Sequence, residues 1–221
     1  MFVKLLNRSY AYKENGPWSL VLEKIEGMNT NGLELILASG SPRRQAYFKE
    51  MGLRFRVEVI PVAEDFPKEL NGIEIAQHIV QQKAEPFLKK IQAKQLIIIA
   101  DTVVWHQNQS LGKPENADEA KTMLRALSNS THEVITAVGF LQKESFETLC
   151  EVSKVTFDVL SESDIEHYIQ TQSPMDKAGA YGIQDSFGVR HVTRIEGSYS
   201  NIIGLPVPQV LKKITEITLK N

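Results

Sequence analysis

The amino-acid sequence predicts an α/β fold built on an elongated mixed sheet. Three observations carry this. Short apolar runs at 33–38 and 95–100 have the length and continuity of strands buried on both faces. Stretches with apolar residues at helical spacing alternate with them. Two longer strand-like segments, 131–141 and 147–160, are separated by the polar Gln142-Lys143-Glu144-Ser145, as in a hairpin.

The elements follow in order. Residues 1–32 mix charge with Gly16 and Pro17 and read as an N-terminal extension, with Met28 offering an internal start. The folded domain is expected over 33–221. Its first strand stops at Ser39-Gly40-Ser41-Pro42, and Pro42 suits the first position of a helix whose apolar face is Tyr47, Phe48 and Met51, ended by Gly52. A second strand is expected over 55–62. Ala76, Ile79, Val80, Ala84, Phe87, Leu88 and Ile91 form a helical stripe over 76–91, and Pro86 predicts a kink or restart within it. The run 95–100 is the most apolar strand and delivers Asp101 and Thr102 at its C-terminal end.

Asn116 and Glu119 have the spacing of a capping box ahead of a stripe at Ala120, Met123, Leu124 and Leu127. After the hairpin, Ser161 caps a short helix through Gln170. A glycine-rich stretch at 177–188, a strand over 189–195 and a final helix striped by Val207, Val210, Leu211 and Ile214 complete the chain.

Composition narrows the function classes. A chain of 221 residues with 42% hydrophobic and 24% charged residues fits one or at most two domains. With 25 Lys+Arg against 27 Asp+Glu, the net charge of -2 gives no field for coating a nucleic-acid polymer. No run approaches a membrane span and no secretory core is present at the N-terminus. The single cysteine, Cys150, excludes an intrachain disulfide and reads as a small buried hydrophobe, so a cytoplasmic location is expected.

Several residues could carry chemistry. Ser39-Gly40-Ser41-Pro42-Arg43-Arg44 resembles an anion site: hydroxyls and free N–H groups at a helix start, followed by two guanidinium groups. A capped helix with solvated arginines is the plain alternative. Glu64, Asp65 and Asp101 are carboxylates suited to Mg²⁺ or Mn²⁺; taken singly, Glu64 and Asp65 read as surface loop charges, whereas Asp101, closing an apolar strand, reads as functional, with an Asx-turn as its structural rival. Lys113, in Gly112-Lys113-Pro114, could neutralise phosphate or be simply solvated. In the run Asp176 to Gln184, Lys177 adds a cation, and Gln184 offers an amide donor and acceptor to a base edge; a tight structural turn is the alternative. The histidines lack paired metal-ligand spacing, and no serine-hydrolase or dinucleotide fingerprint occurs.

The ordered motifs LASGSPRR (37–44), ADTVV (100–104), LGKP (111–114), STHEVITAV (130–138), DKAGAYGIQ (176–184) and IEGSYSNIIGLP (195–206) resemble those of the Maf-like nucleotide pyrophosphatases, from about Leu35 onward. The resemblance implies helices and a mixed sheet around a central cleft, as in the inosine triphosphate pyrophosphatases. It also implies metal-dependent hydrolysis of nucleoside triphosphates to monophosphate and pyrophosphate. Within it Asp101 corresponds to the proton acceptor, Glu64 to a metal-binding carboxylate, and Lys113 to a catalytic or phosphate-contacting lysine. Arg43, Thr102 and Gln184 correspond to residues that set base preference, and they favour the branch acting on dTTP and UTP over that acting on 7-methyl-GTP. Ser41, Arg44 and Lys177 are expected to contact the phosphates.

The family is also associated with septum formation, which leaves a nucleotide-binding regulator as the rival. Whether the chain forms a homodimer is left open. Asn129 and Asp185 stand where the family commonly has glycine.

Overall fold

The computed structural model describes residues 30–171 and 174–220, so the expected extension lies outside them except for 30–32. The strands are β1 (Glu34–Leu37), β2 (Phe55–Val57), β3 (Gln95–His106), β4 (Gln109–Leu111), β5 (Thr131–Gln142), β6 (Ser145–Phe157) and β7 (Val192–Glu196). They form one mixed sheet in the order β2-β1-β3-β5-β6-β7, with β4 also on β3. β1 runs parallel to β2 and β3; the other pairings are antiparallel.

The α-helices are α1 (Pro42–Glu50), α2 (Gly72–Leu88), α3 (Ala117–Leu127), α4 (Glu162–Thr171), α5 (Ser186–His191), α6 (Tyr199–Ile203) and α7 (Val207–Lys220). None among the described residues is long and apolar enough to cross a membrane.

Side-chain alternation along β1 and β3 sorts the helices. Leu35, Leu37, Leu96, Ile98 and Ala100 face one layer, packing with Phe48 of α1 and with Val210 and Ile214 of α7. Ile36, Ile97, Ile99 and Val103 face the other, packing with Ile75, Ile79 and Val80 of α2. The close seating of α2 requires glycine at two points. A Cβ on Gly72 would stand 2.6 Å from Ile135 Cδ1, and one on Gly139 would stand 2.8 Å from Val80 Cγ1. A third core joins α3 and α4 to Phe157, Tyr181 and Phe187.

The structure corrects several expectations. β2 ends at Val57, not residue 62, because after Glu58 N–H donates to Leu37 O the chain meets Pro61, which has no donor to continue an edge ladder. α2 starts earlier than 76, at an Asn71 cap whose side chain accepts from Ile73 and Glu74 N–H. It runs unbroken through Pro86, whose missing donor falls in the last turn. β3 continues to His106, so Asp101 lies inside a strand and not at its end.

Of the expected capping box, Asn116 Oδ1 accepts from Glu119 N–H, but the Glu119 carboxylate takes Glu115 N–H instead of closing the box. Residues 186–191 form α5, and β7 begins only at Val192, because Gly188 lets this short helix touch the backbone of 182–183, where a Cβ would stand 2.4 Å from Gly182 O. Asn129 has φ 50, a left-handed conformation that Asn tolerates better than most residues. Cys150 is half-buried, against the expectation of full burial.

His132, 2% exposed, stacks on Phe157 and shares a 2.7 Å hydrogen bond between Nε2 and Tyr181 Oη. Burial, reinforced by His106, pushes its pKa down from 6.5 to about 3. The folded chain keeps this ring neutral, whereas the unfolded chain protonates it below pH 6.5. Its contribution to stability is therefore complete above 6.5 and is lost as pH falls toward 3, amounting to about 4 kcal/mol by that point. Urea unfolding between pH 7 and pH 3.5 should show this slope, and His132→Gln should flatten it. An unchanged slope would place the acid sensitivity elsewhere.

Candidate active site

The parallel segment β2-β1-β3 directs the loops after β1 and β2 to the same end of the sheet, where open α/β sheets gather ligands. β5 covers one edge of β3 from Ile97 to Trp105. The opposite edge is shared: β1 pairs as far as Ile98 and β4 begins at Val104. Residues 99–103 therefore face a gap between two strands. A cleft of about 730 Å³ opens there, walled by the 38–44 loop, the 59–66 loop, α2, the Leu111–Lys113 turn and the 176–184 loop.

Nine of the sequence-predicted site residues line this cleft: Ser41, Arg43, Arg44, Glu64, Asp101, Thr102, Lys113, Lys177 and Gln184. Asp65 does not; its carbonyl instead accepts from Gln82 Nε2 at 2.9 Å, which ties the Glu64 loop to α2.

At the start of α1, Ser41 is the N-cap with Pro42 behind it, its Oγ accepting from Arg44 N–H at 3.5 Å. Arg44 is a clamp. Its Nε donates to Gly204 O at 2.8 Å, one terminal nitrogen to Ser39 Oγ at 3.3 Å, and the other to Thr102 Oγ1 at 3.0 Å. Thr102 also meets the buried Thr136 hydroxyl at 3.0 Å, and Thr136 donates to Asn201 O. One chain of hydrogen bonds thus joins α1, β3, β5 and α6. Close packing lowers the pKa of Arg44, with Asp101 opposing that effect and Arg43 adding to it.

Period-two alternation sends Asp101 to the other face, toward α2. Asp101 is 8% exposed, and Lys83 Nζ sits 2.7 Å from its Oδ1 and 2.9 Å from Glu64 Oε1. Oδ2 of Asp101 has no hydrogen bond among the described residues. For Glu64, burial raises the pKa, but the Lys83 hydrogen bond and the charges of Lys83, Lys113 and Arg44 outweigh it, so the net shift is downward.

Lys83 was not foreseen. Its signal was visible in retrospect: a lone cation four residues from both Ile79 and Phe87, inside the apolar stripe of α2.

On the opposite wall, Arg43 pairs with Asp176 at 3.2 Å, and Lys177 lies 2.8 Å from Asp176 Oδ1 and 3.5 Å from Asp185 Oδ2. The glycine-rich 176–184 loop is pinned. Gly179 takes φ 68 and donates to Gly112 O at 3.0 Å, Tyr168 Oη donates to Asp185 Oδ2, and Gly182 N–H donates to Tyr168 Oη. Lys113 and Gln184 project into the cleft with no side-chain hydrogen bond or ion pair among the described residues.

The charged lining comprises five cations and three carboxylates. Such a cleft attracts a polyanion. Among the described residues no three His, Cys, Asp or Glu side chains are grouped to hold a metal ion. The convergent oxygens of Glu64 and Asp101 are hard donors of the kind Mg²⁺ and Mn²⁺ accept, with the rest of a coordination shell left to water or phosphate.

The family model of Maf-like proteins matches residues 34–217. A Flavobacterium johnsoniae protein named dTTP/UTP pyrophosphatase is 46% identical over 184 residues, covering 83% of this chain and 95% of that protein. A Bacteroides thetaiotaomicron protein of the same name is 40% identical over 190 residues, covering 86% and 98%. The structure of the Staphylococcus aureus Ham1 protein superposes with a TM-score of 0.39 at 11% identity, over 56% of this chain and 71% of that one.

The clamp has a measurable consequence. A single ammonium cannot reach Gly204 O, Ser39 Oγ and Thr102 Oγ1 together, so Arg44→Lys should cost about 1–3 kcal/mol in urea unfolding. Unaltered stability would mean that these contacts do not hold the wall in place.

Proposed function

Because the chain belongs to the Maf-like protein family, we propose that it hydrolyses nucleoside triphosphates to nucleoside monophosphate and pyrophosphate, with dTTP and UTP preferred. The observation that carries this reading is the placement of Asp101 at the open edge of β3, inside a cleft where cations outnumber carboxylates.

In this reading the triphosphate lies along the α1 start and the 176–184 loop. Ser41, Arg43, Arg44, Lys113 and Lys177 offset phosphate charge, which is the main demand of phosphoryl-type transfer. Asp101 holds a water through Oδ2, the oxygen that Lys83 leaves uncovered, and takes its proton as the water oxygen bonds to the α-phosphorus. The bond from the α-phosphorus to the bridging oxygen breaks, and pyrophosphate departs with the electron pair. Before nucleotide and metal arrive, Lys83 keeps the Asp101 carboxylate oriented through Oδ1.

Glu64 and Asp101 would hold Mg²⁺ or Mn²⁺, with the substrate's phosphates completing the shell. When bound, the metal supplies Lewis-acid stabilisation of phosphate charge.

Base preference follows from Gln184, whose amide can accept from N3–H and donate to a carbonyl of uracil or thymine. Val59, Ile60 and Phe66 add apolar lining to the same cleft. Arg43 sits across the cleft mouth on Asp176, and Thr102 acts through Arg44, which it holds. Non-standard pyrimidine triphosphates that keep this hydrogen-bonding edge are the natural extension of the substrate range, and their removal is the proposed cellular role.

The test is pyrophosphate release from a panel of purified triphosphates with Mg²⁺ or Mn²⁺. dTTP and UTP should lead. Asp101→Asn should still bind nucleotide while turnover falls by about 10²–10⁴-fold. Faster turnover of 7-methyl-GTP would reject the base assignment, release from none would favour a nucleotide-binding regulator of cell division, and near-normal turnover by Asp101→Asn would remove Asp101 as the base.

A further inference from the structure

We infer that the protein holds no resident divalent cation, because Lys83 occupies the point where Glu64 and Asp101 converge, and that metal enters only together with the triphosphate. This rests on the reading of Glu64 and Asp101 as the metal carboxylates and adds an order of binding to it.

The geometry sets a conflict. One ammonium nitrogen stands 2.7 Å from Asp101 Oδ1 and 2.9 Å from Glu64 Oε1. A divalent ion binding both oxygens at about 2.1 Å would claim the same space, and the two cations repel. Lys83 must therefore leave before a metal can bridge these carboxylates.

Its departure needs another anion. The Lys83 side chain is 19% exposed, and the same helix lends the buried, apolar Ile79 and Phe87 to the cleft wall. An ammonium withdrawn from its carboxylates onto such a wall would be desolvated and unpaired. The remaining carboxylate of the cleft, Asp176, already serves Arg43 and Lys177. A metal ion arriving alone would also add positive charge where five cations already face three carboxylates.

A triphosphate reverses both terms. It gives Lys83 a new partner and changes the sign of the field, so each ligand strengthens the binding of the other, as linkage requires.

The probe is Mn²⁺, followed by water-proton relaxation enhancement, which reports ion bound to protein, with a non-hydrolysable α,β-imido analogue of dTTP as the nucleotide. Wild type should bind Mn²⁺ at least about tenfold more tightly with the analogue than without it, within the usual span of coupling between sites. Lys83→Met and Lys83→Gln should bind Mn²⁺ alone at least about tenfold more tightly than wild type. If neither variant folds, as judged by circular dichroism, the two wild-type titrations still decide the order of binding.

Equally tight binding by wild type without the analogue would overturn the inference while leaving the metal carboxylates in place. So would variants whose affinity for Mn²⁺ alone is unchanged. No protein-bound Mn²⁺ even with the analogue would overturn both the metal reading and the inference built on it.

Discussion

The site depends on a constraint of strand pairing. β3 is too long for any one neighbour on its free edge, so β1 covers one part and β4 another, leaving 99–103 facing open space. A strand satisfied along both edges would offer no room for a ligand between its neighbours. Here the backbone stays rigid through β5 while the other edge opens. Alternation then places Asp101 on the α2 side and Thr102 on the α1 side of the same gap. One carboxylate and one hydroxyl, adjacent in sequence, serve two different walls of the cleft.

The walls are held by charge that is largely paired within the protein. Arg44 is committed to backbone and hydroxyl oxygens, Lys83 to two carboxylates, and Arg43 and Lys177 to Asp176. A triphosphate entering this cleft exchanges protein partners for phosphate oxygens and does not meet an array of bare cations. The selectivity of such a site lies in which exchanges a ligand can complete. Asp185 joins this arrangement behind Lys177, braced by Tyr168, so a carboxylate at that position is integrated into the loop that presents Gln184.

Much of the fold was legible in the sequence because burial and periodicity act locally. The apolar runs of β1 and β3, the hairpin of β5 and β6, and the stripe of α7 follow directly from side-chain pattern. Local pattern is silent where a nonlocal partner decides. β3 runs past Asp101 because β5 and β4 continue to pair with it. The stretch after Gly182 folds into α5 because the backbone of 182–183 packs against Gly188, which no periodicity reports. At the site, residues in punctuated motifs such as Ser41-Pro42-Arg43-Arg44 and Gly112-Lys113-Pro114 stood out on local chemistry. Lys83 did not, because a single lysine in a helix usually reads as solvated. Its role appears only when α2 is seated against the sheet and its ammonium reaches across to β3 and the Glu64 loop.

The proposed reaction turns on water attacking the α-phosphorus rather than the β- or γ-phosphorus. Hydrolysis of dTTP in ¹⁸O-enriched water, with the products resolved by mass spectrometry, tests it most directly. The label should appear in the nucleoside monophosphate and be absent from pyrophosphate; label in the pyrophosphate, or release of labelled orthophosphate, would contradict it.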